Sequence, residues 1–173
     1  QTISLIGVPS DVGASDRGAA MGPEALRVAG IVKTLEEQGF TVKDTGDLVG
    51  PRNPELPPVD GYRHLKENTL WAKAIQEAIY GELKSGHFPI MMGGDHAMSI
   101  GSIAAVARYC AENKKPVCLL WIDAHADFNT SDTSPSGNIH GMPVAVATGY
   151  GHPDLISLGH AIPMIETKNV YQV

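Results

Sequence analysis

Two aspartates and a histidine alternate in the run Asp123-Ala-His125-Ala-Asp127, directly after the apolar segment 117–122 (VCLLWI). Residues two apart in an extended chain point to the same side, so these side chains are expected to converge. The unbroken apolar run is typical of a parallel strand buried on both faces, and open α/β sheets bind ligands where such strands end. Carboxylate and imidazole ligands exclude a thiolate zinc site and favour manganese, with iron, cobalt or zinc left open.

A second ligand-type residue follows another apolar segment. Residues 88–92 (FPIMM) predict a strand, the two glycines after them allow a tight turn, and Asp95 and His96 come next. If this strand neighbours the one at 117–122 in the sheet, His96 lies at the same edge as the first cluster and is a fourth candidate ligand. Asp95 either orients His96 or caps the following helix, and the capping role is favoured.

The composition excludes several classes of protein. The 173 residues are 43% hydrophobic and carry a formal net charge of −6 without any basic run, which argues against nucleic-acid partners and anionic membrane surfaces. Neither a membrane-spanning segment nor a signal peptide is predicted, so a cytoplasmic location is expected. Cys110 and Cys118 are interpreted as reduced packing residues rather than a disulfide.

Strand and helix patterns alternate along the chain. Strands are predicted at 2–8, 40–44, 88–92, 117–122 and 169–173, and helices at 22–37, 62–84, 97–112 and 141–148. This order predicts one α/β domain over residues 1–173, built as three αβα layers around a mainly parallel sheet. His64, His87, His152 and His160 lack any such context and are interpreted as surface or loop residues.

Three motifs occur in a fixed order: GGDHAMSIG, DAHADFN and SGNIHGMP. Together with SDVGASDRGAAMGPEALR near the start, they resemble the ureohydrolase superfamily and, within it, the arginases, over essentially the whole chain. The resemblance implies a bridged pair of manganese ions at the carboxyl edge of the sheet. By motif position it implies that His96 and Asp127 bind one ion, that His125 binds the other, and that Asp123 bridges both.

The resemblance also implies a reaction and a substrate. A hydroxide shared by the two ions would attack the guanidinium carbon of L-arginine, giving L-ornithine and urea. His140 matches a proton-shuttling histidine and, with Asp127, is assigned to the catalytic set. Three positions that match α-carboxylate ligands are Asn129, Ser134 and Ser136, with Ser134 standing where threonine is common. The family resemblance further implies a homo-oligomer, a trimer or a hexamer.

The chain departs from the arginase pattern in one respect. The later Asp-x-Asp pair and the acidic residues that bind the α-amino and guanidinium groups have no counterpart here. The chain is therefore expected to correspond to the N-terminal half of an arginase, incomplete at its C-terminal end and inactive alone. Two alternatives stay open: an agmatinase or other ureohydrolase, and a metal-binding fragment without activity. The segment 129–140 resembles arginases and favours L-arginine as substrate.

Overall fold

The computed structural model describes residues 1–173, and helices alternate with short strands along them. The strands are β1 (Thr2–Val8), β2 (Thr41–Asp47), β3 (Phe88–Gly93), β4 (Leu119–Trp121) and β5 (Val170–Gln172). The helices are α1 (Gly22–Val28), α2 (Ile31–Glu37), α3 (Leu65–Lys84), α4 (Ser99–Glu112), α5 (Pro143–Ala147) and α6 (Pro153–Ile156). Single 3₁₀ turns lie at Ala19–Met21, His96–Met98, Ile139–Gly141 and Thr167–Asn169. No helix combines the length and the apolar character that crossing a membrane requires.

All paired strands are parallel, but they form two sheets. One has the order β2-β1-β3 and the other pairs β4 with β5. The expected α/β class with a parallel sheet is confirmed. The expectation that the strand ending before His96 neighbours the strand ending before Asp123 is wrong, because β3 is hydrogen-bonded only to β1 and β4 only to β5.

Helices cover both faces of the first sheet. Ile3 and Leu5 of β1 belong to a cluster with partly buried residues of α2, whereas Ile6 and Val8 belong to a cluster with α3. These four side chains are at most 5% exposed, and burial of each aliphatic side chain contributes about 1.5–3 kcal/mol to folding. The alternation of β1 therefore creates the three layers, α1 and α2 on one side and α3 on the other, as the sequence predicts.

The second sheet is covered on one face only. Trp121 packs into the largest core cluster with α4 and α5, but Leu120 and Ile122 are exposed. The strand predicted at 117–122 is thus shorter than expected, and the prediction that both its faces are buried is wrong. Cys118 lies outside the strand and is exposed, so it is not a packing residue; both cysteines are free thiols.

The other differences from the predicted elements concern their ends. The helix expected at 22–37 is two helices, because the chain breaks at Gly30, whose φ is +88°. The helix expected at 62–84 begins at Leu65, and the strand expected at 40–44 extends to Asp47. The regions 97–112 and 141–148 each open with a 3₁₀ turn before their α-helix.

Glu82 ties α3 to the first sheet. Its carboxylate accepts hydrogen bonds from Ser4 Oγ (2.5 Å) and Lys43 Nζ (2.8 Å), and His87 Nδ1 lies 2.7 Å away. Partial burial raises the pKa of Glu82, but the bonds from His87, Lys43 and Ser4 outweigh it and lower this pKa to about 2. His87 is therefore a partly buried structural residue rather than a surface one.

The remaining histidines without a predicted role lie in loops. His64 is not on the surface: it is buried just before α3, with Nδ1 2.9 Å from the Val12 carbonyl oxygen. His152 accepts a hydrogen bond from the Asp154 N–H and caps α6, and His160 is exposed.

Candidate metal centre

His96, Asp123 and Asp127 meet at one point of the structure. His96 Nδ1 lies 2.9 Å from Asp123 Oδ2 and 2.9 Å from Asp127 Oδ2. The ligand atoms of these three residues all lie within 4.8 Å of one another. One imidazole and two carboxylates suit manganese and other borderline or hard divalent cations, so the donor set fits the metal that the sequence predicts.

The backbone that carries Asp123 and Asp127 is not extended, as the sequence predicts, but bent. Residues 123–125 form a bend, and Asp127 has a φ of +46°, in the left-handed region that side chains rarely adopt. The Asp127 carbonyl oxygen accepts a hydrogen bond from the Val144 N–H (3.0 Å), which fixes Asp127 to the start of α5. The prediction of an extended Asp-x-His-x-Asp run is therefore wrong, although both aspartates still point at His96.

His125 stands apart from the three-residue group. Its side chain is 83% exposed, with Nδ1 3.4 Å from Asp123 Oδ1, the carboxylate oxygen that does not face His96. Asp123 thus lies between two imidazoles and presents one oxygen to each. The pKa of Asp123 is lowered chiefly by the hydrogen bond that its carboxylate accepts from the His125 backbone N–H. Partial desolvation raises this pKa, and the nearby His96 lowers it further.

All eight predicted site residues line one cleft of about 850 Å³. They are His96, Asp123, His125, Asp127, Asn129, Ser134, Ser136 and His140. The structure thus brings together the four candidate ligands, the three candidate carboxylate-binding residues and the candidate proton shuttle. A cleft of this size admits a small amino acid together with metal ions.

The loop that carries the candidate substrate-binding residues is held by its own hydroxyls. Ser134 Oγ accepts a hydrogen bond from the Gly137 N–H (3.0 Å), and Ser136 Oγ accepts one from the Asn138 N–H (3.2 Å). Each serine uses an oxygen lone pair in these bonds and keeps its hydroxyl hydrogen as a donor. The two side chains can therefore donate to a ligand carboxylate without loss of the loop's internal bonds.

Asp95 and Gly13 connect the ligand loop to His140. Asp95 Oδ1 accepts from the Ala97 N–H and Oδ2 from the Gly13 N–H, both at 2.8 Å, and the Gly13 carbonyl oxygen accepts from the His140 N–H (3.1 Å). The expected capping role of Asp95 is confirmed, and the carboxylate makes no bond to His96. Burial raises the pKa of Asp95, although the two N–H bonds lower it. The contact between Gly13 and Asp95 could not be predicted from the sequence, because the two residues are 82 positions apart.

Comparison with known proteins places this geometry in a family. The family model described as "Arginase family" matches residues 1–173. The arginase of Brevibacillus brevis is 40% identical over 170 residues, which are 98% of this chain and 56% of that protein. The structure of Bacillus caldovelox arginase superposes with a TM-score of 0.89 at 39% identity, covering 98% of this chain and 56% of the other. Entamoeba histolytica arginase, solved in complex with L-ornithine, is 31% identical with a TM-score of 0.84, covering 99% of this chain and 57% of the other.

The fold and the site define an α/β protein with a ligand cleft at the carboxyl ends of parallel strands. The chain belongs to the arginase family. It spans about half the length of the relatives it matches, in agreement with the expectation that it corresponds to about half of such a protein.

Proposed function

We propose that the protein that carries this chain is a binuclear manganese hydrolase that cleaves L-arginine to L-ornithine and urea. The observation that carries the proposal is the meeting of His96, Asp123 and Asp127 in the 850 Å³ cleft of an arginase-family chain. The Entamoeba histolytica relative, which was solved with L-ornithine, supports an α-amino acid as the molecule bound in this cleft.

The proposed metal ligands are those that the family resemblance implies, and the positions of the donors support them. His96 and Asp127 would hold one ion and His125 the other, with Asp123 shared, since its two oxygens face the two imidazoles. When bound, a pair of divalent cations would lower the pKa of water strongly, toward neutrality, and so supply the hydroxide that attack on a poor electrophile such as a guanidinium requires. Asp127 is buried, and its backbone carbonyl oxygen is bound by the Val144 N–H, which restricts where the carboxylate can lie.

His140 is proposed to move the proton that hydrolysis requires. When the bond from the guanidinium carbon to the side-chain nitrogen breaks, the ornithine amine leaves and must gain a proton. An imidazole titrates near neutral pH and can supply it. His140 lines the same cleft as the candidate ligands, and its backbone is fixed by Gly13.

Asn129, Ser134 and Ser136 are proposed to bind the α-carboxylate of arginine. The amide and the two hydroxyls are donors on the wall of the cleft. Agmatine has the same guanidinium but lacks the carboxylate, so it would leave these donors unpaired. Loss of one or two hydrogen bonds to a charged group corresponds to a preference for L-arginine of roughly a hundredfold or more in kcat/KM.

Steady-state kinetics on both substrates with the manganese-loaded protein tests the proposal. Ser136→Ala should lower kcat/KM more for L-arginine than for agmatine, because only arginine presents a carboxylate to the hydroxyl, whereas the loss of the hydrogen bond from the Asn138 N–H affects both substrates. Ser157→Ala, at an exposed serine outside the cleft, is the matched control. Equal efficiency on the two substrates in the unmodified protein would instead indicate an agmatinase and remove the carboxylate-binding role.

A second proposal concerns the 173-residue chain by itself. Its compact donor group contains two carboxylates and one imidazole, with His125 outside it. Two hard cations require more oxygen ligands than this group supplies. We therefore expect the isolated chain to bind Mn²⁺ weakly and to hydrolyse no arginine. Calorimetric titration with Mn²⁺ and a urea assay measure both properties, and robust urea release by a chain of verified intact mass would contradict the expectation.

A further inference from the structure

Arg63, which lies just before α3, makes three hydrogen bonds that join separate loops. Its Nε donates to Asn138 Oδ1 (2.9 Å), its Nη1 donates to the Leu56 carbonyl oxygen (2.7 Å), and its backbone N–H donates to the Gly137 carbonyl oxygen (2.8 Å). The planar guanidinium offers donors in a fixed fork, so one side chain can bridge two loops without much loss of rotamer freedom per bond. Arg63 therefore connects the segment before α3 to the loop that leads to His140.

The partners of Arg63 are themselves fixed. Asn138 is 8% exposed, and its amide also pairs with the Ser15 hydroxyl, at 2.9 Å from Oδ1 and 2.8 Å from Nδ2. Gly137 has a φ of +70°, and a Cβ there would lie 2.9 Å from Pro58 Cβ. The loop thus has a backbone shape that favours glycine, and it rests directly against the segment that Arg63 belongs to.

We propose that Arg63 is a positioning residue that holds residues 134–140 against the cleft wall. Asn138 and Gly137 lie between Ser136 and His140. The bonds of Arg63 therefore fix the part of the chain that joins a candidate donor to the substrate carboxylate, Ser136, to the candidate proton shuttle, His140. Arg63 does not line the cleft. The positioning effect stands on geometry alone, whereas its consequence for catalysis rests on the proposed function.

Hydrogen–deuterium exchange of the Gly137, Asn138 and His140 amides tests this role without metal or turnover. Arg63→Ala should speed exchange at these three sites about tenfold, the scale of one lost hydrogen bond to a charged group. Arg63→Lys retains the charge and the backbone bond but not the fork, so it should recover only part of the protection. Arg52→Ala, at an exposed arginine of the neighbouring connection, is the control and should match the unmodified protein.

The role of Arg63 is overturned if exchange at these amides is unchanged in both variants, or if it rises equally along the whole chain. If Arg63→Ala fails to fold, the exchange rates of the same three amides in Arg63→Lys decide the question. In the manganese-loaded protein that hydrolyses arginine, Arg63→Ala should also narrow the preference for L-arginine over agmatine about tenfold with the manganese content unchanged. An unmodified protein without that preference would contradict the proposed function, and the exchange measurement would still decide the role of Arg63.

Discussion

Replacement of Asp95 by asparagine removes one of the two hydrogen bonds by which the Asp95 side chain joins two loops. In the structure each carboxylate oxygen accepts one backbone N–H, from Ala97 inside the 3₁₀ turn and from Gly13 in the loop after β1. An asparagine side chain has one oxygen and one NH₂ group, so one of these N–H donors would face another donor. The variant has nearly the same shape as the native residue and therefore tests the hydrogen bonds rather than packing.

The magnitude follows from burial and charge. Asp95 is 7% exposed, so the N–H that loses its acceptor cannot turn to water. A hydrogen bond to a charged group contributes about 1.5–3 kcal/mol. Burial raises the pKa of Asp95, so the neutral amide avoids part of the cost of burying a charge and offsets part of the loss. The expected net loss in the free energy of unfolding is about 1–2 kcal/mol, or roughly 2–8 °C in Tm for a chain of this size.

Urea unfolding followed by circular dichroism measures this loss. The midpoint should fall while the slope m stays the same, because the variant changes stability and not the surface exposed on unfolding. Hydrogen exchange should show faster exchange at whichever of Gly13 and Ala97 loses its acceptor. Asp132→Asn, at an exposed aspartate of the loop between Asp127 and Asn138, is the control and should change the midpoint little.

One outcome would contradict this role of the Asp95 carboxylate. If Asp95→Asn unfolds at the native midpoint and both amides keep their protection, the carboxylate does not stabilise the contact between the loop after β1 and the 3₁₀ turn that begins at His96. Asp95→Ala separates the remaining cases, since it removes both acceptors and should cost more stability than asparagine does.

Three further predictions follow from other parts of the molecule. In the complete, metal-loaded protein, His140→Ala should slow kcat by about 10²–10⁴-fold with metal content unchanged, and loss of the metals instead would reassign His140 as a ligand. The pKa of Glu82 is lowered from 4.5 to about 2 in the folded state, so its contribution to stability is present above pH 4.5 and lost as the pH falls toward 2. At about 1.4 kcal/mol per pH unit this contribution is at most roughly 3 kcal/mol. Glu82→Gln should therefore make the free energy of unfolding depend less on pH across that range. Gly101→Ala should destabilise by about 1–3 kcal/mol in thermal unfolding, because a Cβ at Gly101 would lie 2.4 Å from the Ala72 carbonyl oxygen between α3 and α4; unchanged stability would show that the helices move apart freely.

The local sequence contained enough information to predict the class of fold and the residues that line the candidate cleft. Apolar strands followed by His96 and by Asp123 could be recognised because strand pattern and ligand chemistry both lie in short contiguous segments. The capping role of Asp95 was accessible for the same reason, since its partner Ala97 is two residues away. These features depend on residue type and spacing, which the sequence states directly.

The tertiary structure decided how those segments meet. Strands β3 and β4 lie in different sheets, and the left-handed Asp127 replaces the expected extended run, so His96 meets two aspartates while His125 stays outside the group. Local periodicity could not show this, because strand pairing depends on which chain segments lie side by side.

The contacts that hold the site were also beyond the sequence. Asp95 binds Gly13 across 82 positions, and Arg63 binds Asn138 across 75. From composition alone, either arginine of the connection before α3 could have been the partner of Asn138. Any glycine of the loop after β1 could likewise have been the partner of Asp95. The choice between them is made by distance in three dimensions, because a hydrogen bond forms only where donor and acceptor come within about 3 Å with suitable alignment.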